Sequence, residues 1–192
     1  LNINGTFDDC QDIVKSAFKN KSFLKHDQVL LAVNSINWTR IIGQICYYFY
    51  LGMSINNFSK RLCFSVPTGN FGNVFACYSA MKLGLPVKDI AVAVNENDIL
   101  HRFFSENLYK KESVNKTLSP SMDITVASNF ERLIYDFYLE RDAEMCKDFF
   151  DNFPNNPISL SEDVWKKTSQ LFCSTSIKDL ETTEIMKRIY QD

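Results

Sequence analysis

The chain has 192 residues, of which 45% are hydrophobic and 23% are charged, a composition typical of a globular protein with one well-buried core. Its formal net charge is -2 and it has no dense lysine and arginine cluster, which argues against nucleic-acid and anionic-membrane partners. The longest apolar stretch, near residues 41–53, is interrupted by Gly43, Gln44 and Gly52 and is too short to cross a bilayer. We therefore expect a cytoplasmic or organellar protein without a membrane span.

The cysteines predict a reducing compartment. None of them forms a C-x-x-C pair, and most have apolar neighbours, so we expect small buried side chains rather than disulfides or metal ligands. The six are Cys10, Cys46, Cys63, Cys77, Cys146 and Cys173.

The first third of the chain predicts two helices. Thr6 and Asp9 have the spacing of a capping box, and apolar residues follow at helical period, which indicates a helix over about 7–19. A longer helix is predicted over about 35–51. Because that segment is apolar on more than one face, we expect it to be buried between layers.

The middle of the chain predicts a βαβ unit. RLCFSV and KDIAVAV are β-rich runs, and the segment between them has helical spacing and ends at Gly84 and Pro86. This order indicates an α/β fold with a mostly parallel sheet flanked by helices. Downstream, Ser128 and Glu131 have capping-box spacing before FERLIYDFYLE, and three peripheral helices are predicted in DAEMCKDFFDNF, SEDVWKKTSQLF and TTEIMKRIY.

A glycine-rich loop joins the first predicted strand to its helix, in SVPTGNFGNVFACYSAMKLG. Unpaired backbone N–H groups at such a position, beside the positive end of a helix dipole, favour a phosphate site. Gly69 and Gly72 would permit unusual dihedral angles and close approach of a ligand, while the Asn70 and Asn73 side chains would add hydrogen-bond donors. The loop has neither the P-loop nor the G-x-G-x-x-G spacing. On these grounds alone, a simple tight turn is an equal alternative.

Sequence blocks in a fixed order carry a family resemblance. They cover residues 5–135 densely and the remainder loosely, and they resemble threonine synthases. The blocks are GTFDDCQDIVK, AVNSINWTRI, YYFY, SVPTGNFGN, LGLPV, NENDILHRFF, TLSPSMDI and SNFERL. Cys77 and Asn107 stand where the family pattern has glycines, which suggests altered packing beside the loop and a different turn.

The resemblance implies a two-lobed pyridoxal-phosphate enzyme of fold type II, like the tryptophan synthase β subunit. Such an enzyme converts O-phospho-L-homoserine, a phosphorylated amino acid, and water to L-threonine and phosphate. The resemblance also implies that the cofactor's 5′-phosphate is held by Gly69, Asn70, Phe71, Gly72 and Asn73.

The family pattern places the Schiff-base lysine upstream of GTFDDCQ, so no catalytic residue is expected in this chain and we expect it to be inactive alone. We interpret the chain as a central portion of the enzyme: residues 1–33 would end the smaller lobe, and 34–192 would form most of the cofactor-binding lobe. The oligomeric state is left open, with a homo-oligomer among the alternatives.

Asn34, Asn37 and Arg40 are further candidates, because amides and a guanidinium are suited to a substrate carboxylate or phosphate. The alternative is a polar helix start, with Asn34 or Ser35 as N-cap and Arg40 in a structural ion pair. Trp38 is expected in the core.

Two other hypotheses for the whole chain stay open. The first is a truncated or degenerate α/β module that binds phosphate or is purely structural. The second is an α/β nucleotide binder, which is disfavoured because neither a Walker lysine nor an acidic ribose contact can be placed.

Overall fold

The computed structural model describes residues 4–153 and 155–191. Helix α1 (Phe7–Lys19) begins at a complete capping box, in which the Thr6 side chain accepts from the Asp9 N–H and the Asp9 carboxylate accepts from the Thr6 N–H. Helix α2 (Trp38–Asn56) begins at Asn37. The predicted helices at both places are confirmed, although α2 starts and ends later than predicted.

A parallel sheet of three strands forms the centre of the fold, in the order β1-β2-β3. Strands β1 (Leu62–Pro67) and β2 (Val87–Val94) flank helix α3 (Gly72–Lys82), which confirms the predicted βαβ unit and the α/β class. Strand β3 (Phe172–Ser176) was not predicted from the sequence, and it pairs with β2 from Ile90↔Phe172 onward.

The remaining helical elements lie before and after β3 in the chain. They are α4 (Ile99–Glu106), a 3₁₀ turn (Pro120–Met122), α5 (Phe130–Leu133), a π-helical turn (Ile134–Tyr138), α6 (Ala143–Asp151), α7 (Glu162–Trp165), a second 3₁₀ helix (Lys166–Gln170) and α8 (Asp179–Gln191). The predicted capping box at Ser128 is wrong. The Ser128 hydroxyl donates to Gln11 Oε1 at 2.7 Å, and α5 has Asn129 as its N-cap residue without a side-chain capping bond.

Aromatic rings dominate the core where α3, α4 and α5 meet. Phe103 and Phe130 are fully buried with ring centroids 4.7 Å apart, and Tyr109 stacks on Phe130 at 4.9 Å. Rings in edge-to-face or offset contact add to the stabilisation that burial provides. Phe71, in the loop that follows β1, packs against this cluster.

Helix α2 is less buried than its sequence indicated. One face packs on α3 through Ile41 and Tyr48, which are buried, but its other faces are open. Trp38 is 45% exposed, so the prediction of a core tryptophan is also wrong. The other exposed large apolar side chains of α2 are Ile42, Tyr47, Tyr50, Leu51, Met53 and Ile55. Within the described residues, no helix is long and apolar enough to cross a membrane.

The six cysteines are free thiols, but only Cys77 and Cys146 are buried, so the prediction of buried side chains is wrong for the other four. Apolar sequence neighbours do not determine which face of a helix or strand a residue occupies. Burial raises the pKa of Cys77 to about 12 and that of Cys146 to about 11.

We expect an aromatic disulfide reagent at pH 8 to modify Cys10, Cys46, Cys63 and Cys173 rapidly, because the thiolate is the reactive form and these side chains are exposed. Cys77 and Cys146 should react only after denaturant is added. Absorbance of the released thiol measures both phases, and Cys46→Ser should remove one equivalent from the fast phase alone. Rapid modification of Cys77 in the folded protein would contradict the packing described above.

Candidate functional site

The glycine loop (residues 68–73) lies at the carboxyl end of the parallel sheet, where β1 passes into α3. The Thr68 N–H donates to the Ala93 carbonyl of β2 at 2.8 Å, so the loop begins as an extension of the sheet. Open α/β sheets bind their ligands at this edge. The glycine loop therefore lies where the predicted order of strand, loop and helix placed it.

Phe71 determines the shape of the glycine loop. Its backbone is left-handed with φ of 65°, and its N–H donates to Thr68 Oγ1 at 3.0 Å. Its ring is fully buried, stacked on Phe104 with centroids 6.1 Å apart and edge-on to Phe130 at 5.2 Å. Phe71 thus has no unpaired donor to offer a ligand, and what the structure shows for it is an anchoring role.

The two loop glycines do not supply unusual dihedral angles, so that part of the prediction is wrong: neither Gly69 nor Gly72 has a positive φ. Close approach is the reason for Gly69. A Cβ built there would lie 2.9 Å from Ile124 Cδ1 and 3.3 Å from the Met122 backbone. At Gly72 a Cβ would meet Asn129 Nδ2 at 3.4 Å, which is ordinary contact.

Backbone donors are available along the loop and at the start of α3. Among the described residues, no acceptor is found for the N–H groups of Gly69, Asn70, Gly72, Asn73 and Val74. These groups lie in or beside the first turn of a helix of 11 residues, where the dipole favours negative charge. The arrangement is suited to an anion with several oxygen atoms, such as a phosphate monoester.

The Asn70 side chain is used within the protein. Its Nδ2 donates to Ser35 Oγ at 2.6 Å, and its Oδ1 accepts from the Ser128 N–H at 2.8 Å. The side-chain oxygen and one of the two Nδ2 hydrogens are thus used within the protein, and the backbone N–H of Asn70 remains for a ligand. Asn73 is exposed; its Oδ1 accepts from Tyr48 at 2.7 Å, and no partner is found for its Nδ2 in the described part of the chain.

Asn129 joins the three segments of the site. It is fully buried, and its Nδ2 donates to the Ser35 carbonyl at 3.0 Å and to the Asn70 carbonyl at 3.1 Å. Its Oδ1 accepts from Arg132 Nε at 3.1 Å, and Arg132 also donates to the Ile36 carbonyl at 2.8 Å. The sequence alone assigned no individual role to Asn129. Its presence in the SNFERL block was the only signal of a larger role.

The structure gives local roles to two of the three predicted substrate-binding residues. Asn34 Oδ1 accepts from the Ile36 N–H at 3.2 Å, and Asn37 is the N-cap of α2, with Oδ1 accepting from the Thr39 N–H at 2.9 Å. Arg40 is exposed, and no ion-pair partner is found for it among residues 4–153 and 155–191, contrary to the structural alternative. It stays a candidate for binding an anionic group.

A polar network follows β2 on the same edge of the sheet. Asp123 Oδ1 accepts from Asn95 Nδ2 at 2.8 Å, from Asn97 Nδ2 at 3.0 Å and from Thr117 Oγ1 at 2.7 Å. Asp98 pairs with Arg102 at 2.8 Å. Because Asn95, Asn97, Thr117 and Asp123 hydrogen-bond to one another, and Asn97 also bonds to the Asn115 backbone, the network holds the 115–124 segment in place.

A cavity of about 910 Å³ lies between α1 and the segment from Val126 to Phe153. Its walls carry charges of both signs, among them Lys15, Glu131 and Arg132. Partial burial raises the pKa of Glu131, and the positive charges of Lys15 and Arg132 oppose that shift. None of the loop donors described above lines this cavity.

Known threonine synthases are similar to the chain over nearly its whole length. The protein from Pseudomonas aeruginosa is 45% identical over 190 residues, covering 98% of this chain and 40% of that protein. The one from Saccharomyces cerevisiae is 43% identical over 206 residues, covering 100% of this chain and 39% of that protein.

Solved structures show the same relationship. A PLP-bound threonine synthase from Brucella melitensis superposes with a TM-score of 0.83 at 38% identity, covering 94% of this chain and 39% of that one. The yeast threonine synthase superposes with a TM-score of 0.82 at 40% identity, covering 100% of this chain and 39% of that one. In sequence and in fold, the chain is similar to threonine synthases.

The match has defined limits. The chain spans about two fifths of the length of these threonine synthases. No protein-family model matches it. The assignment therefore depends on full-length relatives and on the shared fold.

Two blocks that carry the likeness to threonine synthases are in direct contact. Asp8 of GTFDDCQ accepts hydrogen bonds from the Thr125 hydroxyl and, at 3.2 Å, from its N–H. Gln11 of the same block accepts from Ser128 of SNFERL at 2.7 Å. Helix α1 is thereby attached to the segment that carries Asn129.

Proposed function

We propose that this chain provides the cofactor-phosphate site of a PLP-dependent threonine synthase, which converts O-phospho-L-homoserine and water to L-threonine and phosphate. The observation that carries the proposal is the set of unpaired N–H groups at the start of α3. The similarity to a structure described as a PLP-bound threonine synthase supports the choice of ligand.

The residues present are suited to the phosphate of pyridoxal 5′-phosphate. Backbone N–H groups of Gly69, Asn70, Gly72 and Asn73 would hold its oxygens, while Phe71 holds the loop in shape. The absence of side chains at positions 69 and 72 keeps the donors accessible. When bound, the cofactor supplies an electron sink for carbanion chemistry at the substrate.

Substrate binding is proposed at the start of α2. Arg40 is exposed, and its guanidinium can donate two parallel hydrogen bonds to a carboxylate or phosphate. Asn34 and Asn37 retain an indirect part, since their oxygens fix the backbone that leads to Arg40.

The remaining assignments follow from the same proposal. The Schiff-base lysine is expected upstream of the GTFDDCQ block. The division into a smaller-lobe end (1–33) and a cofactor-binding lobe (34–192) stays a prediction, as do a cytoplasmic location and a homo-oligomeric state. The alternative function is a truncated or degenerate α/β module that binds phosphate or is purely structural.

The proposal can be tested with the 192-residue chain and pyridoxine 5′-phosphate, which lacks the aldehyde that would react with surface lysines. We expect saturable binding in calorimetry and a higher Tm, because a ligand at one hundred times its Kd stabilises the folded state by about 2.7 kcal/mol. Pyridoxine without the phosphate should have little effect. Gly72→Asp places a carboxylate among the N–H groups that would bind the phosphate. It should weaken binding at least about tenfold.

Gly43→Asp is the matched control, because Gly43 is an exposed helical glycine with nothing within 4 Å of a built Cβ. This variant should bind like the wild type. Equal binding by Gly72→Asp would reject the glycine loop as the site. No binding by the wild type would favour the structural module.

A further inference from the structure

Gln44 is a polar residue on the face of α2 that packs against the first turn of α3. Ile41 lies one turn before it and is buried, and Tyr48 lies one turn after it and donates to Asn73 Oδ1 at 2.7 Å. A Cβ built on Gly72 would be 3.7 Å from Gln44 Oε1. The Gln44 amide is thus next to the backbone that presents the loop donors.

The Gln44 side chain has an unusual environment. Its Oε1 is buried, and no hydrogen-bond partner for it is found in residues 4–153 and 155–191. Buried polar atoms in native proteins are nearly always paired, and an unpaired one opposes folding. An apolar side chain would fill this position between Ile41 and Tyr48 without that penalty, so packing does not explain a glutamine here.

A ligand at the start of α3 would explain it. The terminal torsion of glutamine is broad and roughly two-fold, so the side-chain NH2 can turn towards the side on which Oε1 now lies. The N–H groups of Gly72 and Asn73 on the same helix turn are also unpaired. Several unpaired groups around one point are expected where a phosphate binds.

We propose that Gln44 is a further residue of the phosphate site, whose side-chain amide donates a hydrogen bond to the phosphate held at the start of α3. This inference rests on the proposed function. It adds a donor from α2, which precedes the glycine loop in the chain. It also explains why a polar side chain stands where Gln44 Oε1 has no partner among the described residues.

Gln44→Leu in the full 192-residue chain tests the inference with two measurements. The Tm of the ligand-free protein should stay the same or rise, because a buried unpaired polar group is removed. The affinity for pyridoxine 5′-phosphate, measured by calorimetry, should fall roughly tenfold, as expected for one hydrogen bond to a charged group. Gln44→Glu should weaken binding further, since a carboxylate repels the phosphate.

Gln170→Leu, at an exposed position, is the control and should change neither quantity. If the wild type binds and Gln44→Leu binds equally well, the role of Gln44 is overturned while the proposed function stands. A fall in both ligand-free Tm and affinity for Gln44→Leu would show a structural role and also overturn it. If the wild type does not bind the ligand, the proposed function fails and the role of Gln44 fails with it.

Discussion

Phe71→Ala is expected to lower the free energy of unfolding by about 3–5 kcal/mol, the usual cost of truncating a buried aromatic side chain. The Phe71 ring is fully buried and contacts the rings of Phe104 and Phe130. Phe130 contacts Phe103 in turn. The substitution would therefore leave a cavity at the point where the glycine loop is attached to the core. Equilibrium unfolding in urea measures the loss.

Phe71→Gly should be about 1 kcal/mol less damaging than Phe71→Ala, although glycine is the smaller residue. The backbone at position 71 has φ of 65°, a conformation that glycine adopts without the steric cost that alanine incurs. If the glycine variant were the less stable of the two, the left-handed backbone would not be maintained in solution.

Phe58 provides a matched control for the ring. It also has a positive φ, of 61°, but its side chain is 41% exposed. Phe58→Ala should therefore cost less than about half as much as Phe71→Ala. Equal losses at the two positions would show that burial of the Phe71 ring does not anchor the loop.

Local patterns were sufficient to predict the elements that contain the candidate site. The Thr6 and Asp9 pair defines the start of α1, and the order of strand, loop, helix and strand defines the βαβ unit. These signals lie within a few residues of one another. The position of the glycine loop follows from the same order, because every parallel strand in such a unit ends at one edge of the sheet.

The features that were predicted wrongly depend on distant parts of the chain. Strand β3 is short, and its identity comes from pairing with β2 about 80 residues earlier in the chain, as in Ile90↔Phe172. Ser128 has the spacing of a helix cap but bonds to Gln11 instead. The positive φ was expected at glycine and occurs at Phe71, because burial of the ring outweighs the backbone cost.

The candidate site shows the same division. Its backbone donors could be predicted from the loop and helix, since they are a property of any helix start. The use of the Asn70 side chain by Ser35 and Ser128, 35 and 58 residues away, could not. Nor could the burial of Asn129, because the carbonyl groups that surround it come from other segments.

Asn129→Ala is expected to lower the free energy of unfolding by about 3 kcal/mol. The substitution removes donors to the Ser35 and Asn70 carbonyls and an acceptor for Arg132, and each buried group left unpaired costs about 1–3 kcal/mol. The Asn129 backbone N–H still donates to the Asn70 carbonyl, which limits the loss. Asn152→Ala, at an exposed asparagine with one long side-chain bond of 3.4 Å, should cost less than about 0.5 kcal/mol.

The same variant connects stability to ligand binding. Asn129 holds the Asn70 carbonyl while the neighbouring N–H groups remain unpaired, so its loss should loosen the donors as a set. Affinity for pyridoxine 5′-phosphate should therefore fall more than about tenfold at a temperature where Asn129→Ala is still folded. Wild-type affinity in a destabilised but folded Asn129→Ala protein would show that the glycine loop holds its shape through Phe71 alone.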